Sequence, residues 1–387
     1  MAIYFDHAAT TPMVAPAIEA LLQQATALGN ASSLHSPGRM VRKSVEEARE
    51  KISSLAGASP NEIIFTGSGT EANNLAIKGF FWKRKSEDSR RNVVVTSAFE
   101  HHAILDPLEW LCEHEAAEVV EIPITASGFI DLEFLRDVVS TRGDEIALIT
   151  VMHSNNEVGT VQPIREVVAI AGGIPVHTDA VQSFGKVPFS FSDLGVTSAT
   201  ISAHKIGGPL GVAALILGRG IDITPILHGG GQERDIRSGT LNAPAIVSFA
   251  AAAEYAIKTL EERAAYVQSL KSELVEKVRQ EIPDLWQNGA SDSALPGIIN
   301  LTFPGTENEA LLLLLDSEGI AASTGSACSA GVHETSHVLL AMGLSERDAR
   351  SSLRFSLSSS NTSVEIDEFA RIIGTVVGRA RAALAKV

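Results

Sequence analysis

Cysteine is almost missing from this chain: its 387 residues hold two, Cys112 and Cys328. Two thiols make no disulfide framework, and so low a count suits a reducing compartment better than a secreted one. Basic charge is also scarce. The 31 Lys and Arg face 46 Asp and Glu, leaving a formal net charge of −15 and a pI near 5.2. A surface this negative opposes unspecific binding to nucleic acid or anionic lipid, so no direct nucleic-acid contact is expected, while a local basic pocket for a small anion stays open. Apolar runs such as 310–315 and 211–217 fall far short of the ~20 residues a membrane span needs. The N-terminus meets Asp6 with no basic region and no long apolar stretch before it, so no signal peptide is expected and the cytoplasm is the expected location. Repeats, low-complexity tracts and Pro-rich linkers are missing too, and the domains are expected to pack tightly.

What remains is ordinary globular material. Apolar residues are 45% and charged residues 20%, enough to bury a sizeable core. At roughly 150 residues per domain the length suits two to three domains, or one large domain with a satellite. From about residue 60 to 220 short β-branched runs alternate with helical patterns: Ile63-Ile64-Phe65, Val93-Val94-Val95, 119–122, 146–151 and 212–217. The runs are continuously apolar, which predicts an α/β fold whose mostly parallel sheet is covered by helices on both faces. Over 244–282 the spacing of Ile257, Leu260, Ala264, Val267, Leu270, Leu274 and Val278 predicts one long helix bridging two domains. Beyond it, apolar runs near 298–303 and 351–357 and helices at 306–316 and 364–385 predict a smaller α+β domain.

Strand ends are where ligands gather on such sheets. After Ile63-Ile64-Phe65-Thr66 comes the turn Gly67-Ser68-Gly69-Thr70 and then a helix start, a geometry that serves a phosphate as well as a plain Ser/Thr cap. It lacks the Gly-Lys-Ser/Thr ending of a Walker loop. Asp179 closes the run from Ile174, and Lys205 follows in Ser202-Ala203-His204-Lys205-Ile206-Gly207-Gly208. A strand-end acid and a lysine in a Gly-rich turn suit pyridoxal phosphate, which needs a lysine to hold it and an acid to keep its ring nitrogen protonated. An N-capping Asp and a solvated Lys read the same letters more plainly.

At this point the chain resembles the pyridoxal-phosphate-dependent cysteine desulfurases of the group that includes the nitrogen-fixation and iron-sulfur-cluster enzymes, which share the class-V aminotransferase fold. The likeness runs in order through Tyr4-Phe5-Asp6-His7-Ala8-Ala9-Thr10-Thr11, 30–35, the Gly67 turn, Glu100-His101-His102, Asn155-Asn156-Glu157-Val158-Gly159, 179–182, 202–205, 229–234, 237–240, 323–329 and Arg354-Phe355-Ser356. The resemblance implies an N-terminal segment, 1–14, packing with the small domain, a large cofactor-binding domain, 15–255, and a small domain, 256–387, carrying the cysteine loop. It implies that Lys205 holds the cofactor and moves protons, that Asp179 pairs with the ring nitrogen, Gln182 bonds the ring hydroxyl and His101 stacks on the ring. It further implies a phosphate held by Gly69, Thr70, Ser202 and His204, joined by Thr240 of a second subunit in a homodimer. Asn155 and Arg354 would grip the carboxylate of L-cysteine, Arg354 through its bidentate fork, unless it is spent in a buried ion pair. A core histidine is the simpler reading of His101 by itself, and His102 reads as a surface or helix residue.

Cys328 lies in a nine-residue run, 323–331, with no large side chain. Such a run cannot pack a core and is expected to be mobile, which suits a thiol that takes sulfur from the substrate and carries it as a persulfide to an acceptor protein. An incidental surface thiol is the plain alternative. The resemblance is to the longer-loop group, with an iron-sulfur scaffold or a thiolation carrier as acceptor. Ending at Val387, the chain is expected to lack the tail with which some relatives dock a scaffold. Cys112, on an apolar helical pattern, is expected in the core. His333-Glu334-Thr335-Ser336-His337 spells the zinc-peptidase H-E-x-x-H, but its lead-in is small and the extended form fails at Leu340, so no metal is expected. An aminotransferase or selenocysteine lyase of the same fold would use Lys205 and Asp179 without needing Cys328, and a weakly catalytic sulfur-trafficking subunit is the reading from another class.

Overall fold

A computed structural model gives the fold of residues 2–325 and 335–385. Its strands are β1 (Ile3–Tyr4), β2 (Ile63–Thr66), β3 (Val93–Ser97), β4 (Glu118–Ile122), β5 (Ile146–Thr150), β6 (Val176–Asp179), β7 (Ser198–Ser202), β8 (Ala213–Leu217), β9 (Trp286–Asn288), β10 (Ile298–Thr302), β11 (Ile320–Ala321) and β12 (Ser352–Ser356). Strands β2 to β8 form one sheet in the order β2-β8-β7-β6-β5-β3-β4. β3 to β7 pair in parallel, while β8 runs against both its neighbours, so β2 points the same way as β7. The mixed, mainly parallel sheet is the one the apolar runs predict. Every residue of β2, β3 and β5 to β8 is buried, whereas the edge strand β4 exposes Glu118 and Glu121.

Alternation along each strand feeds two cores. Ile63, Phe65, Val93 and Val95 pack with Val45, Ile52, Ile246 and Phe249 of helices Ser36–Leu55 and Ala243–Lys258. Ile64, Val94, Leu148 and Leu215 face Leu75, Phe80, Ile104 and Leu108 of helices Gly69–Glu87 and His102–Glu115. β7 escapes a search for apolar runs because Ser198-Ala199-Thr200-Ile201-Ser202 is mostly small and hydroxylated, yet all five residues are buried.

The long helix expected over 244–282 is two, Ala243–Lys258 and Leu260–Glu281. Thr259 interrupts them at φ −106° and ψ 13°, with its Oγ1 donating back to the Tyr255 carbonyl at 2.7 Å and accepting Arg263 Nε at 2.9 Å. The break lets the second helix turn Val267, Leu270, Leu274 and Val278 onto a separate core with Leu301, Phe355, Phe369 and the N-terminal Ile3 and Phe5. Over that core lies a smaller antiparallel sheet, β12-β10-β9, and β1 pairs in parallel with β11. No helix among the described residues is long and apolar enough to cross a membrane.

One buried clamp ties the segment 229–240 to the large sheet. Arg49 and Glu233 pair at 2.7 and 2.8 Å, Glu233 also accepts the Phe65 N–H at 2.8 Å, and the guanidinium lies over the Phe65 ring. Both side chains are at least nine-tenths buried. Glu233→Ala leaves Arg49 only the exposed Glu46 (3.1 Å) as a counter-ion and orphans the Phe65 N–H, and is expected to cost about 1–3 kcal/mol, read as a shift of the denaturant midpoint; no measurable loss would show the clamp to be dispensable.

Candidate active site

Since β2, β3, β5, β6 and β7 point one way, their carboxyl ends open on one edge of the sheet. The Gly67 turn follows β2, Glu100 and His101 follow β3, Asn155 follows β5, Asp179 ends β6 and Ser202 ends β7. A 3-10 turn, Ala203–Ile206, then presents His204 and Lys205, and Gly207 closes it at φ +82°, where a Cβ would press to 2.7 Å from Val14.

Asp179 is buried and accepts the Val181 N–H on Oδ1 (2.9 Å) and Asn73 Nδ2 on Oδ2 (2.7 Å). It has no ion-pair partner among the described residues, and burial pushes its carboxyl up despite the nearby His101 and Lys205. Lys205 donates Nζ to the Ala8 and Ala9 carbonyls at 2.6 and 2.8 Å. Burial, reinforced by Arg354, lowers its amine to about 8, against the pull of Asp179 and Asp6. His101 caps the helix His102–Glu115, its Nδ1 accepting the Ala103 N–H at 3.0 Å, which leaves Nε2 to carry the ring proton. Burial holds that imidazole below its usual pKa.

At the Gly67 turn, Ser68 Oγ caps Glu71 N–H at 3.1 Å and Glu71 Oε2 takes Gly67 N–H at 2.8 Å. Both readings of the turn therefore hold together: Ser68 is a cap, and the Gly69 and Thr70 N–H groups at the head of the helix remain open among the described residues. His204 sits beside Thr10 (3.3 Å), lowered to about 4 by burial and Lys205. Gln182 is held from both ends, Nε2 on the Ala8 carbonyl and Oε1 under Lys186 Nζ, each at 2.9 Å. The Asn155 amide is committed to its own loop, bonding the Phe99 carbonyl and the Glu157 and Val158 N–H groups. Arg354 is in the buried ion pair that was the alternative reading, Nη2 to Asp6 at 2.7 Å, with Nη1 on the Asn156 carbonyl and a buried Nε that has no partner among the described residues. Thr240 is exposed on the segment after Glu233 and lines a small cleft with Gly67. A buried carboxylate lacking a cation, a lysine of lowered basicity and open N–H groups at a helix head together fit a flat, phosphate-bearing ring with a basic nitrogen.

Sequence reasoning missed the support behind Asp179. Asn73 Oδ1 accepts His177 Nε2 (3.1 Å) and His177 Nδ1 meets Ser198 Oγ (2.8 Å), a buried line that holds the carboxylate from below. The available signal was Asn73 one helical turn beyond the Gly69 position. Glu100 and Glu157 were read only as motif letters. Glu100 is wholly buried, bonded by Ser97 Oγ and the Met152 N–H, and pushed up to about 8 by burial. Glu157 accepts Ser336 Oγ at 2.6 Å, and its carboxylate lies 2.8 Å from where a Gly325 Cβ would stand, so it touches both flanks of the segment 326–334. Cys328, His333 and Glu334 lie outside the described residues. His337 donates Nε2 to the Glu100 carbonyl at 2.9 Å. Cys112 is exposed rather than in the core, because the buried face of its helix is taken by Leu108 and Leu111.

A mainly parallel sheet presenting a lysine, an aspartate and a helix head at its strand ends, with a smaller second sheet behind, is the plan of the aminotransferases, and the class-V aminotransferase model matches residues 3–369. Within that family the chain belongs with the IscS/NifS-like cysteine desulfurases. It is 48% identical to the IscS-like cysteine desulfurase of Mycobacterium tuberculosis, over 98% of this chain and 97% of that one. A solved structure of a NifS-like protein superposes with a TM-score of 0.90 at 35% identity, covering 98% and 100% of the two chains. SspA, solved in complex with cysteine, superposes with a TM-score of 0.79 at 34% identity over 92% and 98%.

Proposed function

We propose that this chain, as a homodimer holding pyridoxal phosphate on Lys205, converts L-cysteine to L-alanine and passes the sulfur, as a persulfide on Cys328, to an acceptor protein of iron-sulfur assembly or thiolation. The observation that carries it is the meeting of Asp179, buried without an ion-pair partner, and Lys205, lowered to about 8, at neighbouring strand ends. The relative solved with cysteine supports the substrate. Scarce cysteine supports the cytoplasm as the location.

Bound pyridoxal phosphate would supply a sink for the electron pair released at the substrate α-carbon. The residues do the rest. The Lys205 amine takes the α-proton, a task its lowered basicity suits near neutral pH. Asp179, braced by Asn73 and His177, would hold a proton on the ring nitrogen, and His101 would lie against the ring. Arg354 exchanges Asp6 for the substrate carboxylate, with its free Nε as an added donor. The Cys328 thiolate then attacks the substrate sulfur. The carbon–sulfur bond breaks with its electron pair left on carbon, which takes a proton to become the methyl of alanine, and the sulfur leaves as the outer atom of the persulfide. Five exposed apolar side chains on or between helices Ala15–Ala25 and Ser36–Leu55 (Ile18, Leu22, Leu28, Leu34 and Met40) support a second copy, and the exposed Thr240 is free to reach that copy's phosphate.

The reading is tested by measuring alanine and sulfide released from L-cysteine by the purified protein with pyridoxal phosphate and excess reductant; equal amounts support it, and no alanine from cofactor-loaded protein refutes it. Lys205 also predicts a pH dependence. Below about 8 its amine is mostly protonated and not nucleophilic, so uptake of pyridoxal phosphate by cofactor-free protein should accelerate as pH rises to about 8 and level off above it. Stopped-flow absorbance checks this, and a rate still climbing beyond pH 9.5 would belong to an ordinary lysine.

A further inference from the structure

A cavity of about 330 Å³ lies behind Lys205, walled by Thr11 to Val14, Gly185, Lys186, Ile206, Tyr255, Leu260, Arg263, Val267, the 295–298 turn and the hydroxyl-bearing segment 356–360. It touches Lys205 and Ala8, whose carbonyl holds both Lys205 and Gln182, but none of His101, Asp179, Thr70, Asn155 or Arg354, so it adjoins the strand-end site from behind. Its lining has a charge character opposite to that of the chain. In a molecule of net charge −15 its lining has no Asp or Glu among the described residues, yet includes Lys186 and Arg263 besides Lys205, the lysine that would carry the cofactor in the loaded protein. Neither Lys186 nor Arg263 meets a carboxylate among the described residues. Lys186 donates only to Gln182, and burial, reinforced by the cations Lys205, Arg354 and Arg263, lowers its amine to about 7, a shift that an anion beside it would reverse. Arg263 is fixed by the Gly185 and Ala256 carbonyls through Nη2 and by Thr259 through Nε, leaving Nη1 directed at no acceptor.

Cations gathered without a counter-ion in a partly desolvated space repel one another, a cost that a bound anion removes. The rest of the wall is mixed: Met13, Val14, Ile206, Leu260, Val267 and Leu295 form an apolar part, and Thr11, Tyr255, Ser356 and Ser358 bring hydroxyls. We propose that this cavity is a second ligand site, which takes a small organic carboxylate with its head on Lys186 and Arg263 and its short apolar body against the apolar part. The volume is at the low end for small-molecule sites, which limits the guest to a few carbons. A zwitterionic amino acid is disfavoured because its ammonium would enter a cationic space.

The test is calorimetric titration of the pyridoxal-phosphate-loaded protein with hexanoate, and since the readout is heat of binding it succeeds or fails independently of the proposed catalysis. One saturable site per chain is expected, weakened about tenfold or more by Lys186→Gln and by Arg263→Gln, and retained in Arg354→Gln, which alters the proposed substrate-carboxylate site. Ser359→Asp, at an exposed position on the rim, brings in a carboxylate without disturbing a buried contact and should weaken binding as well. Absence of saturable binding overturns the proposal. So does binding that Arg354→Gln abolishes while the Lys186, Arg263 and Ser359 variants keep it.

Discussion

Cys328→Ala, loaded with pyridoxal phosphate and supplied with L-cysteine and excess reductant, is expected to release alanine and sulfide at least about 10³-fold more slowly than the unaltered protein, with cofactor content unchanged. The reason is the balance of the step. Sulfur must leave carbon as a formally electron-poor atom, and only a thiolate that accepts it as a persulfide lets the carbon–sulfur pair stay behind to form alanine. Cys112 cannot stand in. It is on the helix His102–Glu115 beside Glu109 and Glu113, and partial burial together with those carboxylates holds its thiol above the usual value, where little is thiolate. Cys112→Ala should therefore turn over normally. Unimpaired turnover by Cys328→Ala would refute the sulfur-transfer role and point to an enzyme of the same fold that eliminates or transaminates instead.

Lys205→Ala should lose more. The covalent hold on the cofactor goes, and so does the base for the α-proton, a share worth about 10²- to 10⁴-fold by itself. The measurement is paired: the visible absorption of the lysine-bound chromophore should vanish, and alanine formation should fall to background even with pyridoxal phosphate in large excess. The fold should survive, since the Lys205 ammonium contributes two hydrogen bonds to the Ala8 and Ala9 carbonyls and little else. Lys205→Arg, which keeps the charge and those donors, should rescue stability but neither absorption nor turnover. Retained absorption in Lys205→Ala would move the attachment to another amine, Lys186 being one that is linked to the site through Gln182.

Much of this architecture is legible in one dimension. Continuous apolar runs at 63–65, 93–95, 146–151 and 212–217 could be buried only in a sheet covered on both faces, and a parallel sheet puts their ends on one side. Strand β7 was hidden because burial was achieved by Ala199, Ile201 and small hydroxyl residues whose polarity is absorbed locally, as Ser198 is by His177. The break at Thr259 was hidden because the apolar spacing continues across it, and only the existence of two separate cores makes the second helix turn. Cys112 misled for a related reason: a 3.6-residue period tells which side chains can share a face, not where the buried arc of that face stops.

The strand periods, the Gly67 turn, the Asp179 and Lys205 positions and the Cys328 run belong to the sequence by itself, because each is a local choice of residue type. Three dimensions alone decided that Asn73 and His177 brace Asp179, that Arg354 rests on Asp6, that Glu157 touches both flanks of the Cys328 segment, and that Lys186 and Arg263 share a cavity with no counter-ion among the described residues. Those pairings join residues far apart in the chain, and their energies come from burial and from the absence of water, neither of which exists until the two cores have closed.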